Sequence, residues 1–338
     1  MKIIVDGMGG DEAPAHIVDG AVMAAKEFSD NNEPHRIIIT GPKEKILSRV
    51  HHCHGDGLLG KYLEIVHTDE WIEMHESPAT ALTKKPKSSM HIGVEMVKKG
   101  EADAFVSMGN TGAVMSVGLM GLGRIEGVSR PTIAAFFPTV KGSSLVLDVG
   151  AMVDCKPNHL LQFGVMGSVY MHAMLNIDSP KVGLLSVGEE DNKGDDLTVK
   201  SNELFREKKL FDFIGNVEGR DILAGKADVV VCDGFVGNVV LKFGESVVGF
   251  MKSQFRTVAK SGLIYKLMML VAKPALIKVF KGMDYEEHGG VPLLGVNGVV
   301  IIGHGSSSAK ALNKAIHVAK EMVEKKINEV IKEKINLS

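Results

Sequence analysis

The residues best suited to chemistry in this 338-residue sequence are polar side chains and glycines that follow short apolar runs. An eleven-residue pattern, A-D-x-x-V-x-x-G-x-x-G, occurs twice, at 102–112 (ADAFVSMGNTG) and at 227–237 (ADVVVCDGFVG). In each copy an apolar run breaks at paired glycines and resumes as a helix-compatible stretch, which predicts a buried strand, a tight turn and a helix N-terminus. Such a corner binds anions, because unpaired backbone N–H groups and the helix dipole favour phosphate and glycine lets a ligand approach the backbone. The candidates are Gly109, Asn110, Thr111 and Gly112 in the first copy and Gly234 and Gly237 in the second. Asn238 follows at once, where its amide either donates to a ligand or caps the helix.

Further corners offer similar chemistry. The first apolar run ends in Asp6-Gly7-Met8-Gly9-Gly10-Asp11. This is G-x-G-G-D rather than G-x-G-x-x-G, and the next run ends at Thr40 without an acidic ribose partner, which argues against a nicotinamide site. Asp6, Gly9 and Gly10 either orient a phosphate-binding loop or simply form a turn. His304, Gly305 and Ser306 open a third corner, HGSSS, that reads equally as an anion site or a plain helix cap. Lys193, after three consecutive acids and before Gly194, either pairs with phosphate or a developing oxyanion or is a solvated loop lysine. Cys155 has no base beside it in sequence, and no G-x-S-x-G elbow is present, so chemistry without a protein nucleophile is the simpler expectation.

The elements that must position these residues alternate. Strands are predicted at 3–6, 37–40, 63–67, 104–107, 133–137, 145–148, 182–186, 213–217, 229–231 and 299–302. Amphipathic helices are predicted at 15–28, 89–99, 158–175 and 310–331. Alternation of this kind predicts a mostly parallel sheet with helices on both faces and ligands gathered beyond the carboxyl ends of the strands. From about 238 to 283 the alternation lapses into a long helical run. There Leu263, Ile264, Leu267, Met268 and Val271 recur near helical spacing, and every charged residue in 261–283 is a lysine. With those lysines and Pro274 it makes a poor transmembrane span; it suits either a basic amphipathic hairpin on an anionic membrane or an arm buried by a partner chain.

Composition sets the outer limits. A net charge of −2 supplies no global basic field, and 5% aromatic content leaves little for base stacking, so no nucleic-acid partner is expected. Three widely spaced cysteines and an N-terminus that opens directly on a strand predict a cytoplasmic chain with reduced thiols. The run His51-His52-Cys53-His54 lacks structural zinc spacing and is expected to be a solvated loop, so no metal is assigned.

Taken together and in order, VDGMGGDEAP, SMGNTGA, SRPTIAAFFPT, LDVGA, VDCKPNHL, GSVY, GLLSVGEEDNKG, FIGNVEGRD, ADVVVCDGFVGNVVLK and HGSSS resemble the PlsX family of bacterial phosphate acyltransferases over essentially the full length. Members make acyl-phosphate from acyl-[acyl carrier protein] and inorganic phosphate, for phospholipid synthesis. The resemblance implies a three-layer α/β/α fold akin to phosphotransacetylases and isocitrate-dehydrogenase-like enzymes, formed by one domain over 1–338 with 238–283 as a protruding helical arm. It also implies a homodimer, peripheral attachment to the inner face of the cell membrane, and delivery of product to a membrane glycerol-phosphate acyltransferase. Lys193 and Asn238 match the positions tied to activity, and Met152 stands where the family has asparagine. The expected mechanism is direct attack of phosphate on the thioester, with turn N–H groups and Lys193 holding the phosphate and Asn238 near the carbonyl oxygen, without cofactor or metal. A basic patch including Arg124, Arg130 or Lys156 would receive the acidic carrier protein. The alternatives are a short-chain phosphotransacylase using acyl-coenzyme A and a non-enzymatic membrane scaffold.

Overall fold

Ile3-Ile4-Val5, Ile37-Ile38-Ile39 and Val229-Val230-Val231 are continuous β-branched runs buried on both sides, as required of central strands covered by helices on two faces. The computed structural model describes residues 1–282 and 289–337; Met283, the expected end of the arm, lies outside them. Among the described residues the strands are β1 (Lys2–Asp6), β2 (Arg36–Gly41), β3 (Leu63–His67), β4 (Ala104–Ser107), β5 (Thr132–Thr139), β6 (Gly142–Leu147), β7 (Lys181–Leu185), β8 (Asp212–Val217), β9 (Val229–Val231), β10 (Val291–Leu294) and β11 (Val299–Ile302). They form one sheet in the order β3-β2-β1-β4-β11-β10-β5-β6-β9-β7-β8. One buried layer of side chains includes Ile3, Val5, Leu145 and Leu147, and the opposite layer includes Ile4, Phe105, Val146 and Val230. Helices cover both, giving the three-layer α/β/α arrangement.

The sheet is two parallel halves that run in opposite directions. β2, β1, β4 and β11 are parallel, as are β6, β9, β7 and β8, while β10 and β5 join the halves through antiparallel pairing. Register then decides where the carboxyl ends fall. Val291 pairs with Ile302, Leu293 with Ile133, and Ala134 with Leu147. The last residues of β11 and β6 therefore meet at the same stretch of β5, Ile133 to Ala135. Loops from the carboxyl ends of strands in both halves converge on a seam inside the sheet. Parallel halves of opposite sense make this possible, because each sends its helix N-termini toward the other.

Three local expectations change. The strand β10 is absent from the predicted set because Pro292 and the flanking Gly289, Gly290 and Gly295 read as a turn; its short antiparallel ladders leave room for the proline. The last helix is two, Ala309–Glu324 and Ile327–Asn336, broken where Lys326 takes φ 51°. His51 and His52 end the helix Lys43–His52 rather than forming a loop; His51 pairs with Asp56, and the Cys53 Sγ donates to Asp19 at 2.8 Å.

The arm is a hairpin of the helices Gly234–Lys260 and Leu263–Gly282, with Phe255 edge-on to Phe280 at 5.8 Å. Leu263, Ile264, Leu267, Met268 and Val271 are all exposed, as are Phe235, Val239, Phe243 and Phe250 on the first helix. Gly234–Lys260 is long and apolar enough to cross a membrane by length and composition, with 11% of its apolar window buried.

Candidate active site

The two copies of the repeated pattern fold alike from their first residue. The side chain of Asp103 accepts from the Lys2 N–H at 2.6 Å, and that of Asp228 accepts from the Lys181 N–H at 2.8 Å, so each copy ties its strand to a neighbour before reaching its corner. A buried aspartate from an adjacent strand then organises the turn. For the first corner this is Asp6, whose carboxylate accepts from Ser89 Oγ at 2.6 Å and Ser107 Oγ at 2.8 Å. Burial pushes its carboxyl up from the ordinary range, opposed by those two hydroxyls. A Cβ on Gly9 would stand 2.7 Å from the Asp6 Oδ2 and 2.8 Å from the Gly109 nitrogen, so glycine is what lets the two loops close.

For the second corner the aspartate is Asp148. It is fully buried and accepts from the Met152 N–H at 2.7 Å, the Ile133 N–H at 3.0 Å and Thr132 Oγ1 at 3.1 Å. Here too burial raises the carboxyl and the backbone donors oppose it. A Cβ on Gly234 would meet the Asp148 Oδ2 at 2.5 Å, and one on Gly237 would meet the Asp148 carbonyl oxygen at 1.9 Å. The corner therefore exists only with glycine at both places. Asp233 caps the helix by accepting from the Phe235 and Val236 N–H groups at 2.8 and 3.1 Å, which relieves Asn238 of capping. The Asn238 amide makes no hydrogen bond among the described residues and lies beside Gly150, whose φ of 139° and missing Cβ leave it room.

Both corners open on one cavity of about 390 Å³ at the seam. Thr111 and Gly112 line it from the first corner, Asn238 from the second, and His304 and Ser307 from the third, with Ile133 and Ala135 of β5 as its floor. In the third corner the Ser308 hydroxyl takes the capping role, accepting from the Ala311 N–H at 3.3 Å. The Ser306 N–H points at the His304 Nδ1 at 3.2 Å. The N-terminal turns of three helices, Thr111–Leu122, Gly234–Lys260 and Ala309–Glu324, contribute to the wall, a field suited to anions.

The remaining sequence candidates sit around this cavity rather than in it. Gly10 and Gly305 join the first and third corners, where the Asp11 N–H donates to the Gly305 carbonyl at 2.8 Å. The Asn110 amide is committed elsewhere: its oxygen accepts from the Ala113 N–H at 3.0 Å and its nitrogen donates to the Met74 carbonyl at 2.7 Å. Lys193 does not line the cavity. It is exposed on a loop at the end of β7 that is held from below, where Asn216 donates to the Glu190 carbonyl at 2.8 Å and Asn202 donates to Asn216 at 2.9 Å. Arg124 donates to the Ser129 carbonyl, and Arg130 and Lys156 flank His159, which burial first and these cations second hold below the ordinary histidine range. The Cys155 thiol is pushed up to about 12, chiefly by burial, so it is protonated and unsuited to nucleophilic attack near neutral pH.

Sequence reasoning missed Ser307, Lys242 and Glu245 as lining residues and Asp148 as the organiser of the second corner. The signals were available. Lys242 and Glu245 follow Asn238 at i+4 and i+7 on one helix face, and Asp148 ends an apolar run as Asp6 does.

The chain matches the family model described as fatty acid synthesis protein over residues 1–330. It is 48% identical over 336 residues to a phosphate acyltransferase of Pelotomaculum thermopropionicum, covering 99% of this chain and 95% of that protein. It is likewise 48% identical over 343 residues to a phosphate acyltransferase of Halothermothrix orenii, covering 99% of each. Among solved structures it superposes on a phosphotransacetylase from Streptococcus pyogenes with a TM-score of 0.60 at 18% identity, over 95% of this chain and 94% of that one. At that identity the likeness is one of fold.

Proposed function

Because this chain belongs to the PlsX family of phosphate acyltransferases, we propose that its seam cavity is where inorganic phosphate attacks a long-chain fatty acyl thioester carried by acyl carrier protein. The protein is an enzyme, a phosphate acyltransferase. The observation that carries the assignment of the site is the convergence of Thr111 and Gly112, Asn238, and His304 and Ser307 on one cavity.

The proposed step needs no protein nucleophile. An oxygen of hydrogen phosphate bonds to the thioester carbon, the carbon–sulfur bond breaks, and the phosphate proton passes to the departing thiolate, giving acyl-phosphate and the carrier thiol. The helix N-termini and the Asn238 amide stabilise the carbonyl oxygen as it becomes anionic, and their fixed geometry supplies the positioning. Lys193, on its propped loop at the end of β7, is assigned to the same reaction from the family motif and meets the substrate outside the cavity wall. Arg124, Arg130 and Lys156 form the surface proposed to receive the acidic carrier. Incubation of the protein with palmitoyl-carrier protein and phosphate is expected to give palmitoyl-phosphate. Preferred turnover of acetyl-coenzyme A would overturn this reading in favour of a short-chain phosphotransacylase.

The arm is assigned two roles. The exposed apolar stripe of Gly234–Lys260 suits a second copy of the chain, which supports a homodimer, and the apolar and lysine-bearing helix Leu263–Gly282 suits an anionic bilayer surface. Lining the active-site cavity with Asn238 and Glu245 makes the first helix a poor span. The proposed location is therefore the cytoplasm, in peripheral contact with the inner face of the membrane, where acyl-phosphate passes to a membrane glycerol-phosphate acyltransferase. Leu267→Glu combined with Met268→Glu is expected to weaken sedimentation with anionic liposomes at least about fivefold, since each change removes a buried apolar contact and adds a charge repelled by the surface, while activity without liposomes is retained. Unchanged sedimentation would count against membrane contact, and conversion to monomer on gel filtration would reassign these residues to the dimer.

A further inference from the structure

Resting on the phosphate acyltransferase reading, we infer that Lys242 is the residue that binds the attacking phosphate. It follows Asn238 by four residues on the helix Gly234–Lys260, so the two side chains leave the same face on successive turns and both line the cavity. Among the described residues it is the one lysine or arginine on that wall. Its ammonium is exposed and has no ion-pair or hydrogen-bond partner among the described residues.

The charge balance of the cavity gives that ammonium its task. Glu245, on the next turn of the same helix, brings a carboxylate to the wall. A hydrogen-phosphate dianion entering beside it is repelled. Partial charges of about half an elementary unit at the helix N-termini offset part of this; a full positive charge is needed for the rest. Lys193 does not line this wall. Lys242 supplies the charge as a mobile point donor on a flexible stem, the manner in which lysine commonly holds phosphate. The helix face then divides the labour. Asn238, at the corner, faces the carbonyl oxygen, and Lys242, one turn outward, holds the nucleophile. The phosphate of the carrier's phosphopantetheine arm has the same chemistry, and kinetics separate the two sources.

The test is steady-state kinetics with inorganic phosphate and palmitoyl-carrier protein varied independently for wild type, Lys242→Met, Lys242→Arg and Glu245→Gln. Loss of one charge-assisted contact is expected to raise the phosphate KM about tenfold or more in Lys242→Met, with the carrier KM and kcat changed by less than about threefold. Lys242→Arg is expected to restore most of the phosphate affinity, and Glu245→Gln to lower the phosphate KM below the wild-type value. A merely structural role for this face would not move the two substitutions in opposite directions. An unchanged phosphate KM in Lys242→Met overturns the assignment, as does a rise confined to the carrier KM, which would put the ammonium on the phosphopantetheine phosphate. Should Lys242→Met fail to fold, an unchanged or raised phosphate KM in Glu245→Gln overturns it instead. Calorimetric titration of wild type and Lys242→Arg with inorganic phosphate reads binding without turnover. A failure of wild type to make acyl-phosphate is thus distinguishable from a failure of this assignment.

Discussion

Gly237→Ala is expected to abolish activity and to lower the melting temperature, although it adds a single methyl group. That methyl would lie 1.9 Å from the Asp148 carbonyl oxygen and 3.0 Å from Cys232 Sγ. Backbone, not a flexible side chain, blocks it, so either the helix start or the β6 end must shift. Asn238, proposed above to act on the carbonyl oxygen, is the next residue, and displacement of such a group by about 1 Å costs on the order of a hundredfold in rate. We expect kcat/KM for palmitoyl-carrier protein to fall by at least about a hundredfold. Gly249→Ala in the same helix is the control, because nothing lies within 4 Å of its added Cβ; alanine there favours the helix by about 1 kcal/mol. Equal effects of the two substitutions would refute the close-approach argument.

Asn238→Ala separates the chemistry of the corner from its architecture. Since Asp233 performs the capping and the Asn238 amide has no hydrogen-bond partner among the described residues, stability is expected to change by less than about 1 kcal/mol. If the amide stabilises the carbonyl oxygen, kcat falls by about a hundredfold to a thousandfold, the usual effect of removing one oxyanion donor. Activity within about threefold of wild type would remove Asn238 from the mechanism. Asn238→Asp is expected to be at least as impaired, because a carboxylate beside a developing oxyanion is repulsive. The same pair of measurements, stability and kcat, keeps the effect of Asn238 apart from that of Gly237.

Much of this architecture is legible from residue order because it depends on local patterns. β-branched runs such as Ile37-Ile38-Ile39 specify buried strands, and paired glycines after them specify corners. The repeated pattern also foretells two strand-corner-helix units; that its two aspartates, Asp103 and Asp228, tie to Lys2 and Lys181 is visible only in the structure. What is not legible depends on partners remote in sequence. The opposite sense of the two halves results from three successive antiparallel pairings, β11 with β10, β10 with β5 and β5 with β6, two of which run through β10, a four-residue strand containing Pro292. No local signal around Val291 announces that role. For the same reason Asn110 and Asn238, equivalent in appearance beside their glycines, have different fates: Asn110 caps its own helix and anchors the Met74 carbonyl, whereas Asp233 leaves the Asn238 amide unengaged.

The continuity of β10 and β5 beneath the cavity governs how substrate must arrive. β5 is hydrogen-bonded to β10 on one side and to β6 on the other, so the floor of the site is part of the backbone ladder that unites the two halves. Parting them as two lobes would rupture buried N–H to carbonyl bonds and leave each unsatisfied at about 1–3 kcal/mol. A clamshell motion is therefore closed to this enzyme. Whatever occupies the cavity must enter and leave past the loops and side chains at its rim, over a floor that stays intact, rather than by a parting of the sheet beneath it.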